Sequence, residues 1–342
     1  MVNEKVGPDA RDLEILAALR AGRAPVSGQV LAARLGMSRV ALWKRIERLR
    51  GFAYRIEGGR GGYRLLEEDA VVSGAFPDGR GVIYCAATAS TMDEAWALAE
   101  RGAGSGTLVI ADRQSAGRGR QGRPWHSPGG GLYLTLVLRP RLPACFAAAL
   151  VLEGACGLCE WLEGAGCRLG FHWPNDLMAG TRKVGGLLAE LAGPPEAPRF
   201  YLLGLGLNLG APERLRRAGA GLADLMIRPP LRRDLAAAFR DHLAAWAEAP
   251  RLRPGDWERR CPFLGAPVEF LDWQGRLHAG LARGFDPRGG LRLADPAGGL
   301  ETTYLPDEVR RLRVLAPEAG PAAGDARSRP APLPPSPPET RP

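Results

Sequence analysis

Gln114–Trp125 reads QSAGRGRQGRPW, with three glycines and three arginines in twelve positions directly after the strand-like run Thr107–Ala111 (TLVIA). Gly117, Gly119 and Gly122 can adopt positive φ and bring backbone N–H groups close to a ligand. Arg118, Arg120 and Arg123 supply planar donor forks suited to phosphate or carboxylate. The formal pattern is GxGxxG, which in a dinucleotide fingerprint opens a helix whose N-terminus faces the pyrophosphate. No helix can follow here: Pro124 and Pro128 flank the segment, Gly129–Gly131 extend it, and Leu132–Leu138 (LYLTLVL) alternates like a strand. The stretch therefore reads as strand, anion-holding loop, strand.

Upstream of this loop the chain is unusually basic. Residues 11–66 carry twelve Lys or Arg against four Asp or Glu, nearly all of the net charge of +9, which points to a polyanionic partner for this segment alone. Asp12 is expected to cap a first helix with Leu13, Leu16 and Leu19 on one side. Ser27 opens a second helix, and the turn Gly36-Met37-Ser38 delivers Ser38 as N-cap of a third. In that third helix (SRVALWKRIERLR) Val40, Trp43, Ile46 and Leu49 recur at three-residue intervals as the expected apolar face, opposite Arg39, Lys44, Arg45 and Arg48. A helix, tight turn and basic helix over about 28–47 match a DNA-reading unit, in which Ser38, Arg39 and Trp43 or Lys44 are expected to approach the bases and Arg45 to contact DNA as well. Residues 54–56 and 63–65 form a wing around the turn 57–62, placing Arg60 against a phosphate or the minor groove.

The 342 residues suffice for two or three domains, and 45% apolar with 24% charged residues fits a globular chain. The start, MVNEKVGPDARD, lacks the apolar core of a signal peptide, and no apolar run approaches the roughly 20 residues needed to cross a bilayer. A cytoplasmic protein without membrane contact is expected. Cys85, Cys145, Cys156, Cys159, Cys167 and Cys261 show no disulfide spacing. The Cys156/Cys159 pair sits in an apolar helical stretch (144–163) and reads as core packing, with no protein-held metal site expected.

Residues 69–80 look like a linker. Strands are expected at 82–85, 107–111, 132–138 and 200–209, and helices at 91–101, 144–163 and 231–249. From 261 to 315 short strands separated by Gly, Pro and Asp suggest a small barrel, and 316–342, with nine prolines, a disordered tail.

Downstream of the arginine loop lie His172–Leu177 (HWPNDL) and Arg182–Glu190 (RKVGGLLAE). Asn175 and Asp176 offer groups suited to a hydroxyl, a base or magnesium, and Lys183 a point charge beside a Gly pair. Together, in this order and spacing, GRGRxGRxWxSP, WPNDL and RKxxGxLxE resemble the biotin protein ligases over residues 11–315. The N-terminal unit resembles that of the bifunctional members that also repress the biotin operon. Ser90-Thr91 and Gly204–Asn208 (GLGLN) look like further family elements.

The resemblance implies an α+β multidomain chain: a winged helix-turn-helix (1–68), a mixed α/β ligase domain (81–258) and an SH3-like small β-barrel (261–315). It further implies that biotin and Mg·ATP give biotinyl-adenylate, which a lysine of a biotin carboxyl carrier domain then attacks. Ser90, Thr91, Met92, Gln114, Gly117, Gly119 and Gly186 would surround biotin. Arg118, Arg120 and Lys183 would carry the catalytic charge, and Arg120, Arg123, Trp125, Asn175, Asp176 and Asn208 would serve nucleotide and metal. A homodimer on operator DNA is expected. Two positions depart from the family: His172 stands where lysine is usual, and Met92, which cannot make an amide hydrogen bond, where asparagine is often found. The competing readings are a DNA-bound metabolite sensor without ligase activity and a lipoate or octanoate ligase. The intact arginine loop and the C-terminal barrel stand against the lipoate reading.

Overall fold

A computed structural model describes residues 10–21, 24–51, 54–59, 61–67, 81–210, 219–295 and 298–315. The expected linker (69–80), the Pro-rich tail (316–342) and Arg60 lie outside them.

The N-terminal unit has helices α1 (Ala10–Ala21), α2 (Gly28–Arg34) and α3 (Arg39–Gly51), followed by the antiparallel pair β1 (Arg55–Gly59) and β2 (Gly62–Glu67). The strands continue to Gly59 and resume at Gly62, so the wing turn is tighter than the sequence suggests. Gly62 is obligatory: its φ is +112°, and a Cβ there would lie 2.1 Å from the Val26 carbonyl oxygen. That close approach lets Val26 and Tyr63 exchange two 2.8 Å backbone hydrogen bonds and fasten the wing to the entry of α2.

Two expectations are overturned in this unit. Asp12 does not cap α1; it lies within the first turn, fully buried, and binds Arg45 at 2.7 Å and Arg48 at 3.4 Å. The buried stripe of α3 is Leu42, Ile46 and Leu49, packed on Ile15, Leu16, Leu19 and Leu31, whereas Val40 and Trp43 are 64% and 52% exposed. A three-residue spacing drifts around a 3.6-residue helix, and the i, i+4, i+7 set starting at Leu42 is the one that tracks the core. Ser38 does cap α3, its hydroxyl accepting from the Ala41 amide at 3.1 Å.

The central body is a seven-stranded sheet in the order β3 (Val82–Cys85), β4 (Leu108–Ala111), β5 (Gly131–Leu138), β9 (Phe200–Asn208), β8 (Arg182–Ala192), β7 (Asp176–Ala179) and β6 (Gly170–His172). Only β3 and β4 pair in parallel. Both faces are covered, so alternate residues enter different cores. Val109 and Val137 meet α4 (Thr91–Glu100), while Leu108, Ile110 and Leu136 meet the opposite core, which includes α5 (Ala147–Gly164) and α6 (Arg232–Glu248). α5 is long and apolar enough to span a bilayer, yet two-thirds of that stretch is buried inside the fold. Cys156 and Cys159 face this core, where burial pushes both thiols up to about 12.

After α7 (Pro254–Glu258), β10 (Pro267–Leu271), β11 (Leu277–Phe285), β12 (Leu291–Ala294), β13 (Thr302–Tyr304) and β14 (Arg310–Val314) form a five-stranded antiparallel sheet. Phe270, Phe285, Leu291 and Val309 join the same core as α5 and α6, so this small sheet is packed onto the central body. The Trp173 indole donates to the Gly289 carbonyl at 2.9 Å across that junction.

Candidate active site

The arginine loop folds back on itself. Gln114 bridges to Thr88 and Ser127, and Arg118 to Pro124, while the amides of Gly119 and Trp125 donate to Arg123 and Gly117 at 2.7 Å. These two amides are thus satisfied within the loop, which fixes its hairpin shape. Of the three glycines only Gly122 has positive φ (+70°); Gln121, at +57°, supplies the other left-handed residue. Gly117 serves close packing instead, since a Cβ there would lie 2.7 Å from the Trp125 carbonyl oxygen.

The loop roofs a cavity of about 220 Å³ at the ends of β5, β8 and β9 and the N-terminus of α4. Of the residues expected there, Ser90, Thr91, Met92, Gln114, Arg118, Gly119, Arg120, Arg123, Trp125, Asn175, Asp176, Lys183 and Gly186 all line it. Gly117 lies behind the wall. Asn208 also stands outside the lining; it is buried on β9 with its amide 3.4 Å from the Ala220 carbonyl.

One end is built for a polar ring. Ser90 caps α4 by accepting from the Met92 amide, and the Thr91 amide and hydroxyl both donate to Gln114 Oε1, at 2.8 and 3.1 Å. The Gln114 amide nitrogen donates to Ser127 at 2.9 Å, and Thr135 holds the Thr91 hydroxyl at 2.9 Å. Met92 occupies the wall beside Gly204, where a Cβ would come within 2.9 Å of its sulfur. The thioether makes this corner apolar where an amide would be polar.

The other end carries charge. The Lys183 ammonium lies 2.6 Å from Asp176 and 5.0 Å from the centre of the Trp125 ring. Trp125 rests on Gly206 and Gly186: a Cβ on Gly206 would come within 2.5 Å of the indole. These glycines, one in the RKVGG run and one in GLGLN, leave room for a flat aromatic surface. The buried Trp125 indole N–H meets no acceptor among the described residues. Asn175 is fixed by donating to the Leu187 carbonyl at 2.9 Å.

The two central arginines diverge. Arg118 gives Glu190 a two-pronged pair at 2.9 and 3.0 Å and also binds Asp93 at 2.6 Å and Ser90 at 3.2 Å. Its hydrogen bond with Glu190 foremost raises its pKa. With two carboxylates already on it, Arg118 braces the loop against β8 and α4. Arg120 is more buried, and its charge is penalised chiefly by that burial, with Asp307 and Asp176 opposing the shift. It donates to the Pro306 carbonyl in the turn before β14, and Val309 and Arg311 at the start of that strand line the cavity. Sequence reasoning missed Glu190, Asp93, Thr135, Ser127 and these C-terminal residues. Glu190 was legible as the last residue of RKxxGxLxE and Ser127 as the serine of GRGRxGRxWxSP; the others carry no local motif.

His172 is half-buried outside the cavity wall, with its ring 5.0 Å from that of Phe263. Burial foremost lowers its pKa, Lys183 adds to this, and Asp176 opposes it. A neutral imidazole therefore replaces the expected cation. In the N-terminal unit Ser38, Arg39, Trp43 and Lys44 are all exposed, as DNA contact needs. Arg45 is half-buried and is turned to the buried Asp12 at 2.7 Å.

The fold and this cavity define an α+β ligase-type domain carrying a helix-turn-helix unit. The Biotin/lipoate A/B protein ligase family model matches residues 84–208, and an HTH domain model matches 11–64. Among curated relatives, "Bifunctional ligase/repressor BirA" of Escherichia coli is 31% identical over 78% of this chain and 87% of its own length. The Biotin--[acetyl-CoA-carboxylase] ligase of Paracoccus denitrificans is 36% identical over 62% of this chain and 94% of its own. The Bacillus subtilis bifunctional ligase/repressor is 37% identical, but the match spans 62% of its length. The biotin protein ligase of Aquifex aeolicus, solved with biotin and ATP, superposes with a TM-score of 0.58 at 26% identity, covering 69% of this chain and all of that one. The chain belongs to the biotin/lipoate protein ligase family.

Proposed function

We propose that this protein is an ATP-dependent biotin protein ligase that also acts as a biotin-responsive repressor of biotin genes. The carrying observation is the meeting of the Ser90, Thr91 and Gln114 polar cluster with Arg120, Lys183 and Trp125 in one cavity. In this reading the ureido ring lies against Ser90 and Thr91, with Gln114 locked to present its remaining N–H. The biotin carboxylate attacks the α-phosphorus of ATP, forming a P–O bond as pyrophosphate leaves. A carrier lysine amine then attacks the acyl carbon of the mixed anhydride, and AMP leaves. Lys183 and Arg120 neutralise charge that grows at the phosphorus, and the closed loop keeps the anhydride from water. The orphaned Trp125 N–H gives the nucleotide a donor.

Among the described residues no group of three His, Cys, Asp or Glu side chains is placed to hold a metal. A magnesium ion arriving on the ATP phosphates would have the Asp176 carboxylate beside it. Operator DNA is assigned to the α3 face, the acceptor to a biotin carboxyl carrier domain, and both to the cytoplasm. The edge of β8 beyond Gly186, which faces no neighbouring strand among the described residues, offers a second copy a place to pair.

Purified protein with biotin, ATP and a carrier domain should label the carrier. Failure to form the adenylate or to label the acceptor removes the enzyme reading and leaves a DNA-bound sensor. Biotin, and not lipoate, should raise the melting temperature. Arg120→Ala should release the adenylate early, and a variant that retains it as tightly contradicts the role assigned to Arg120.

A further inference from the structure

The solvent face of α3 has an unusual composition for a surface that meets a polyanion. Val40, Trp43, Lys44 and Glu47 follow one another at i, i+3, i+4 and i+7, and the two apolar members are 64% and 52% exposed. Val30 of the preceding helix is also 59% exposed. Together with Arg39, Val40 and Trp43 border an open cavity of about 730 Å³ whose far wall is the glycine-rich wing at Gly58, Gly59 and Gly62. Large apolar side chains on a monomeric surface ordinarily scatter singly; here they cluster on the helix that faces the partner.

The cations of α3 are divided in a way that bears on what this face can read. Guanine is recognised by an Arg or Lys fork on its O6 and N7, but Arg45 and Arg48 are held by the buried Asp12, and Arg50, which borders the same cavity, by Glu47 and the Ile56 carbonyl. Arg39 and Lys44 remain exposed with no carboxylate partner among the described residues, at the margins of the apolar pair. The centre of the face is therefore hydrocarbon. The one apolar group that base edges present in the major groove is the thymine 5-methyl, and a G·C pair there offers only polar atoms that a valine cannot satisfy.

Resting on the reading of this unit as a DNA-binding repressor domain, we infer that α3 recognises thymine, its Val40 isopropyl and Trp43 indole taking up 5-methyl groups in the major groove. Lys44 and Arg39 then set affinity through phosphates and Val40 and Trp43 set sequence. The indole N–H can also donate to thymine O4 or adenine N7, which reinforces the choice of A·T pairs.

The experiment uses the full chain, with biotin and ATP, on the tightest duplex selected from a random-sequence library. That duplex is resynthesised with uracil for thymine, removing only methyl groups. Binding should weaken roughly threefold to fourfold for each contacted methyl lost. Trp43→Ala should bind the thymine duplex less tightly and discriminate less between the two duplexes, and Val40→Ala should do so to a smaller degree. Lys44→Ala should weaken both duplexes equally. Because Val40 and Trp43 are exposed, these variants should melt like the parent. Equal binding of thymine and uracil duplexes by the parent, or an undiminished ratio in Trp43→Ala, overturns the inference while leaving DNA binding intact. Selection that enriches no duplex at all overturns the repressor reading and this inference together.

Discussion

Two cationic regions of this molecule look alike as sequence and differ as structure. The arginine loop and helix α3 each carry several arginines within a dozen residues, and in each some of those arginines are bound to the protein's own carboxylates. In the cavity, Arg118 is hydrogen-bonded to Glu190 and Asp93, whereas among the described residues Arg120 donates to the neutral Pro306 carbonyl, with Asp307 and Asp176 acting on it through their charge. In α3, Arg45 and Arg48 are held by Asp12, whereas Arg39 and Lys44 point outward. A guanidinium already bearing a carboxylate is a brace: its charge is cancelled locally and its donors are committed. The arginines left for a ligand are those without a carboxylate bonded to them. Counting arginines locates a polyanion site, but finding their carboxylate partners is what separates the frame from the reading surface.

The largest effect that tests this contrast should come from Lys183. Although Asp176 lies beside it, Lys183 reaches the same cavity as Arg120, and Lys183→Ala is expected to slow adenylate formation by roughly 10²–10³-fold in a single-turnover assay. Biotin affinity should change far less. A rate within a few-fold of the parent would place Lys183 with the braces. The next effect divides α3. Asp12→Ala leaves Arg45 and Arg48 without their shared buried anion and should destabilise the N-terminal unit by about 1–3 kcal/mol. The change should register in chemical denaturation and in DNA binding alike. Lys44→Ala should leave stability untouched and lower the slope of log affinity against log salt by about one phosphate contact. If the two variants behaved alike, the division of α3 into interior and reading cations would be wrong.

How far the sequence reaches follows the same line. The sheet strands at 82–85, 132–138 and 200–209 were legible because apolar runs bounded by Gly and Pro declare themselves locally. The long strand β8 lies outside the expected strands, because its Gly185-Gly186 pair weakens the strand pattern; Gly185 makes room for Leu207 of the neighbouring strand. Most site residues were legible through motifs that keep their spacing. Their roles were less so, since Arg118 and Arg120 differ only by neighbours 72 and 186 residues away. The apolar face of α3 was misread for a related reason. A strict three-residue repeat and the true core stripe share Ile46 and Leu49, and only packing against α1 shows that Leu42, rather than Val40 and Trp43, completes it.

The smallest effect concerns His172, where the family's cation is absent. Its pKa is lowered below the usual histidine value of roughly 6.5, mainly by burial, so the folded protein holds it neutral where the unfolded chain would protonate. The unfolded state then binds more protons as pH falls through that range. Stability conferred by the neutral ring is fully present above the unfolded pKa and is lost on acidification toward the folded one. His172→Gln removes this proton linkage and should flatten the acid side of the melting temperature against pH, with little change at pH 8. His172→Lys separates stability from ligand binding: it puts a charge near Lys183 and Asp176. Because the site around His172 is packed for a neutral ring against Phe263, the lysine variant should melt lower than the parent even if ATP affinity rises. An acid limb identical in parent and His172→Gln would mean that another group carries the pH dependence, and His172 would then be a packing residue whose missing charge this protein does without.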